Sequence, residues 1–172
     1  MGETGRRLGE GFELKESLQL VSFVIGKEQF GVDILKVQEI IRMSPITSIP
    51  NSPDFIEGVI NLRGNIIPVI DLRKRLRLAA AAQGDNGAKE NTRILIIDVR
   101  DRVTGFIVDS VSEVLKIESS SIQPPPEIVV AGLKSQYLSG VCKLQERLLI
   151  LLDFTKILQV DEIRKLMEIH EA

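Results

Sequence analysis

Few residues of this 172-residue chain have the chemistry for catalysis or metal binding, and none stands in a pattern that would use it. There is one histidine, His170, near the C-terminus, and one cysteine, Cys142. A structural zinc site takes four Cys, His or carboxylate ligands, and a calcium loop takes closely spaced acids; the chain offers neither. Cys142 lies in a β-rich run two residues after Gly140, so it reads as a small buried apolar residue. Ser119, Ser120 and Ser121 precede a triple proline, but with His170 as the lone imidazole no Ser–His pair is expected. The segment Gly58–Gly64 carries two glycines without the Lys-Ser or Lys-Thr that completes a phosphate loop. Asp71 and Asp153 could serve as an acid–base pair. Each follows a β-rich run at a corresponding place, however, so both read as caps for the turn that follows. The expectation is a non-catalytic protein with no metal and no cofactor.

The elements that position these residues are strands. Leu18–Ile25, Gln29–Asp33 and Val37–Met43 are rich in Val, Ile and Phe, and Gly26-Lys27 forms a turn between the first two. Pro45, Pro50 and Pro53 then exclude a helix interior or central strand. Gly58–Arg63 and Ile66–Asp71 flank Gly64-Asn65, a two-residue hairpin signal, and a helical turn is expected over Asp71–Leu76. Residues 79–91, alanine-rich with Gly84 and Gly87, read as a linker or loop. The second half repeats this grammar. Arg93–Val99, Val103–Asp109, Val111–Ile117, Tyr137–Leu144 and Leu148–Asp153 are strands, with the turn of the first pair at Asp101-Arg102. Residues 160–171 carry apolar side chains at helical spacing and predict a C-terminal amphipathic helix.

The two halves superpose as sequences. At an offset of 74, Gly31 falls on Gly105, Val37 on Val111, Glu39 on Glu113 and Ile40 on Val114. At an offset of 82, Gly58 falls on Gly140, Leu62 on Leu144, Asp71 on Asp153 and Lys74 on Lys156. Shared glycines, acids and a lysine at fixed spacing indicate an internal duplication. Five short strands per copy close most naturally into a small barrel, which removes exposed sheet edges. The expected fold is all-β: two five-stranded β-barrels related by duplication, with short helices and a C-terminal helix. By residues, 1–17 form a tail, 18–78 the first repeat, 79–91 a linker, 92–158 the second repeat and 159–172 the helix. Barrels this small have marginal cores, so the two are expected to pack through a hydrophobic seam. Each barrel could be built from contiguous strands or exchange strands with its neighbour.

Composition narrows the partners. A net charge of −2 and a pI near 5.6 argue against a nucleic-acid backbone, and no Trp with one Tyr argues against base stacking. The longest apolar runs, such as Leu148–Leu152, are strand-sized, so direct membrane insertion is not expected. Residues 1–17 are polar and resemble no signal peptide, and a lone cysteine suits a reducing compartment. The expected location is cytoplasmic.

Differences between the copies point to function. The first copy reads Asn61-Leu62-Arg63-Gly64-Asn65 where the second reads Lys143-Leu144-Gln145-Glu146-Arg147. Pro68 stands where the second copy has Ile150, which predicts an edge strand. The runs Phe30–Ile40, Phe55–Gly64, Ile67–Arg73, Val108–Val114 and Gln136–Gly140 resemble the CheW family of chemotaxis coupling proteins over roughly residues 18–158. The resemblance implies two SH3-like barrels in a free-standing adaptor. Its partners would be the cytoplasmic tips of methyl-accepting chemoreceptors and the regulatory domain of a chemotaxis histidine kinase, in arrays beneath the inner membrane. By motif position it implies a receptor-facing groove at Val37, Glu39, Gly58, Arg63 and Val114. Val37 and Val114 would supply apolar contact, Gly58 close backbone approach, and Glu39 and Arg63 an ion pair or charges for the partner. Glu113 matches Glu39 across the copies, and the resemblance places only Glu39 near the groove. The alternative from another class is a small-molecule-binding protein or enzyme that uses the groove between the barrels.

Overall fold

A computed structural model describes residues 16–78, 88–124 and 137–158. Among these residues eleven strands run in the order β1 (Ser17–Ile25), β2 (Glu28–Asp33), β3 (Val37–Arg42), β4 (Ile56–Leu62), β5 (Asn65–Asp71), β6 (Arg93–Val99), β7 (Arg102–Val108), β8 (Ser110–Glu118), β9 (Ile122–Gln123), β10 (Leu138–Leu144) and β11 (Arg147–Leu152). Three short helices accompany them among the described residues: α1 (Leu72–Leu76), α2 (Ala88–Asn91) and α3 (Phe154–Ile157). The all-β reading holds.

The strands form two sheets, and each draws on both halves of the chain. One has the order β8-β1-β2-β11-β10-β9, the other β3-β6-β7-β5-β4. The copies therefore exchange strands. The joints are two parallel ladders, β2 with β11 and β5 with β7, which pair Gly31 with Leu151 and Val69 with Gly105. Those pairs match one another under the duplication. A parallel pair cannot be closed by a hairpin, so long connections are needed on either side of it.

After β3 the chain wraps back to bridge Thr47 to Val59 on β4, as after β8 it wraps back to pair β9 with β10. Both crossings pass over a glycine. At Gly58 (φ 148°) a Cβ would stand 2.0 Å from the Thr47 carbonyl oxygen, and at Gly140 it would stand 2.7 Å from Ile122 Cγ2. A side chain at either position would push the wrapping segment off its strand.

The largest core lies between the sheets. It holds 22 buried residues, drawn from β1, β2, β10, β11 and α3 with Tyr137 and Leu158 on one side and from β4 to β7 and α1 with Phe55 on the other, against five in the interior of each barrel. Alternation along the strands accounts for this: Leu149 and Leu151 point into one barrel, while Ile150 and Leu152 point into the seam. Strands buried on both faces read as continuous apolar runs, which is what Ile94–Ile97 and Leu149–Leu152 show. The seam expected from the marginal size of each barrel is thus the dominant core.

Several local expectations need correction. The β4–β5 turn is Arg63-Gly64, one residue earlier than Gly64-Asn65, because Leu62 pairs with Asn65. The β6–β7 turn is likewise Arg100-Asp101, since Val99 pairs with Arg102. Pro68 is not on an edge strand: β5 lies between β4 and β7. Its missing donor goes unnoticed for two reasons. Val59, opposite it, bonds Thr47 through both its N–H and its C=O, and the ladder to β7 begins only at Val69. The stretch read as a linker ends in a helical turn at Ala88–Asn91, and β9 and α3 went unseen. The N-terminal tail before residue 16 and the C-terminal helix over 160–171 lie outside the described residues.

Candidate functional site

Arg63 enters its position through the turn. A tight β4–β5 hairpin requires positive φ at both central residues, and Arg63 (51°) and Gly64 (87°) provide it. Asn61 Oδ1 accepts the Gly64 N–H at 2.8 Å and stiffens the turn. Gln145 holds the same left-handed conformation in the second copy (44°), so the backbone is shared between the copies and the charge is not.

Glu39 reaches Arg63 from β3. A bulge separates Val37, which faces Ile97 on β6, from Glu39, which faces Ile96. Arg63 donates Nη1–H to Glu39 Oε1 at 3.0 Å and Nη2–H to Oε2, a bidentate ion pair. β3 and β4 stand at opposite ends of the strand order, so the pair closes one end of the five-stranded barrel through side chains. The Arg63 hydrogen bond holds the Glu39 carboxyl below its usual range, and Glu39 raises the guanidinium in turn. With side-chain exposures of 67% for Arg63 and 31% for Glu39, solvent screens the pair, and its effect is to set shape more than to stabilise.

The pair stands on the wall of an open groove of about 610 Å³. Gln38, Leu62–Ile67, Ile96 and the Asp101–Val103 end of the β6–β7 hairpin line it. Ile66 on this rim is an exposed large apolar residue, and Asp101 and Arg102 add charges that the sequence reading did not single out.

The remaining expected residues are spread more widely. Val37 is half-buried at the start of β3 and packs against the seam. Gly58 is buried on β4, with its open space taken by Thr47 of the same chain. Val114 is 52% exposed on β8, an edge of the other sheet, opposite Val21. Of the five, Glu39 and Arg63 line the groove, whereas Val37, Gly58 and Val114 do not.

Asp71 and Asp153 are caps, as expected. Asp71 accepts from the Arg73 and Lys74 N–H groups at the start of α1, and Asp153 from the Thr155 N–H at the start of α3. Burial pushes the Asp71 carboxyl upward, opposed by those backbone hydrogen bonds. Cys142 is buried in a barrel interior. Among the described residues, no group of three or more His, Cys, Asp or Glu is placed to hold a metal ion, and no helix is long and apolar enough to cross a membrane.

Comparison with known proteins places this architecture. Residues 19–162 match the family model described as CheW-like domain. A protein named chemotaxis protein CheW from Klebsiella aerogenes is 44% identical over 84% of this chain and 83% of its own length. A protein of the same name from Treponema pallidum is 36% identical over 88% of each chain. The crystal structure of scaffolding protein TtCheW from Thermoanaerobacter tengcongensis superposes with a TM-score of 0.74 at 37% identity, covering 84% of this chain and 90% of that one. The two barrels are of the SH3-like kind that this structure contains.

Proposed function

The chain belongs to the CheW-like family, and from that premise we propose that it is a non-catalytic adaptor coupling methyl-accepting chemoreceptors to a chemotaxis histidine kinase. It acts in the cytoplasm, in arrays at the receptor tips. Family membership across nearly the whole described chain supports the role, and the observation that carries the site is the Glu39–Arg63 pair. It is confined to the first copy: Glu113 makes no ion pair among the described residues, and Gln145 stands where Arg63 does. A duplicated scaffold that differs here has one end shaped for a partner.

The partner-facing surface comprises the groove at Glu39 and Arg63 together with Val37 and the exposed Val114, each meeting a different part of the assembly. Gly58 serves the surface indirectly, by letting the Thr47 segment lie flat on β4. The test is capture of the chain by a receptor cytoplasmic fragment and by the kinase regulatory domain. Arg63→Glu places two carboxylates against each other in the groove, so it is expected to weaken capture by at least one partner while the fold persists. Full retention of both partners would reject the groove as a contact surface.

A further inference from the structure

The seam between the barrels carries a cation that the duplication does not account for. At the offset of 82, Phe55 falls on Tyr137 and Arg75 on Ile157. Phe55 precedes β4 and Tyr137 precedes β10, so each barrel offers one buried aromatic ring at corresponding places. Each is tied to a capped helix, since its carbonyl accepts the N–H of Asp71 or Asp153 respectively.

Arg75 on α1 joins these two units. Its guanidinium lies 4.8 Å from the centre of the Phe55 ring and 5.3 Å from that of Tyr137. Its Nε–H donates to the Ile157 carbonyl, on α3, at 2.7 Å. One cation thus engages a ring of its own barrel, a ring of the other barrel and a backbone acceptor of the other barrel. The repeat-related position holds a fully buried apolar side chain, so no second clamp mirrors it.

The physical consequence concerns orientation. Burial of the apolar seam is strong but non-directional, so it holds the barrels together without fixing the angle between them. A planar guanidinium over ring faces, with a hydrogen bond along one edge, is directional. Arg73 also spans the barrels, bonding the Asp109 carboxylate that accepts the Gly26 N–H at 2.7 Å. Its buried Nε finds no partner among the described residues, which makes it the less complete tie.

We propose that Arg75 is a positioning residue that sets the angle between the two barrels. On the adaptor reading, it thereby sets how surfaces on the two sheets are presented together to their partners.

The test is a distance measurement between spin labels at Arg42→Cys on β3 and Lys143→Cys on β10, in a Cys142→Ala background. Arg75→Ile copies the residue of the other repeat and preserves apolar packing. A single cooperative unfolding transition is expected, with a label–label distribution wider by roughly twofold or more. Arg75→Lys, which keeps the charge but loses the planar fork, is expected to fall between. Should Arg75→Ile fail to fold, Tyr137→Leu removes the second ring while Arg75 stays, and the same widening is expected. A distribution that superposes on the parent's in either folded variant overturns the proposal. A widened distribution with undiminished binding to receptor fragment and kinase domain keeps the positioning role and overturns its link to partner presentation.

Discussion

The backbone of Thr47 occupies the space that a side chain at Gly58 would need: an ideal Cβ there would lie 2.0 Å from the Thr47 carbonyl oxygen. Thr47 in turn exchanges two hydrogen bonds of 2.9 Å with Val59. This contact joins the returning segment to β4, at one end of the strand order, and closes the barrel that carries Glu39 and Arg63.

Gly58→Ala is therefore expected to cost roughly 2–4 kcal/mol, through a backbone clash that no rotamer relieves. Gly64 gives the contrast. It too has positive φ, but nothing lies within 4 Å of its would-be Cβ. Gly64→Ala should cost about 1 kcal/mol, the strain of the left-handed conformation alone. Urea unfolding of both variants measures the difference, and equal losses would refute a specific role for the Thr47 crossing.

The Glu39 carboxyl should titrate below the ordinary carboxylate range. A depressed folded-state pKa contributes stability above the unfolded value, and that contribution is lost as pH falls through the folded value. The pair thus persists through neutral and mildly acidic pH and opens only in stronger acid. Carboxyl NMR on the parent and on Arg63→Gln checks this: removing the guanidinium should return Glu39 to the ordinary range. An unmoved titration would mean that the pair does not form in solution.

Strand exchange makes the halves interdependent. A fragment of residues 16–78 lacks β8, β9, β10 and β11 from one sheet and β6 and β7 from the other. Neither that fragment nor residues 88–158 should unfold cooperatively alone, whereas a mixture of the two should recover a strand-rich circular dichroism spectrum and a cooperative transition. Cooperative unfolding of one isolated half would contradict the exchanged topology.

Arg63→Gly separates shape from stability. The position already has positive φ, which glycine adopts without strain, so stability should hold or rise by up to about 1 kcal/mol. Partner capture should fall, because Glu39 loses its only ion-pair partner among the described residues. Thermal unfolding beside a capture assay reads both effects, and a marked stability loss would show that the pair is structural.

Much of this fold was legible because its strands are long and apolar, as in Arg93–Val99 and Arg147–Leu152. Strand exchange was not legible. The duplication matches Gly31 with Gly105 whether each copy folds on itself or on its neighbour, and only the parallel ladders decide. The hairpin turns were read one residue late, because Gly64 takes the second turn position and leaves the first to Arg63, a residue type that rarely adopts positive φ. Arg63 shows as a difference between copies, whereas Glu39, shared with Glu113, is marked only by the family resemblance. Arg75 escaped because it sits in the run Arg73-Lys74-Arg75, which reads as a solvated basic face until Phe55 and Tyr137 are seen on either side of it. Gly58 was read as room for a partner, and the structure gives that room to Thr47, in a proline-punctuated stretch with no strand pattern.

The most direct test is reconstitution of the full chain with a receptor cytoplasmic fragment and the chemotaxis histidine kinase, scored by the rate of kinase phosphorylation. The parent chain is expected to raise kinase activity in a receptor-dependent manner. Arg63→Glu, with an unchanged unfolding transition, is expected to lose most of that activation. Absence of activation by the parent would contradict the adaptor role, and full activation by folded Arg63→Glu would contradict its assignment to the Glu39–Arg63 groove.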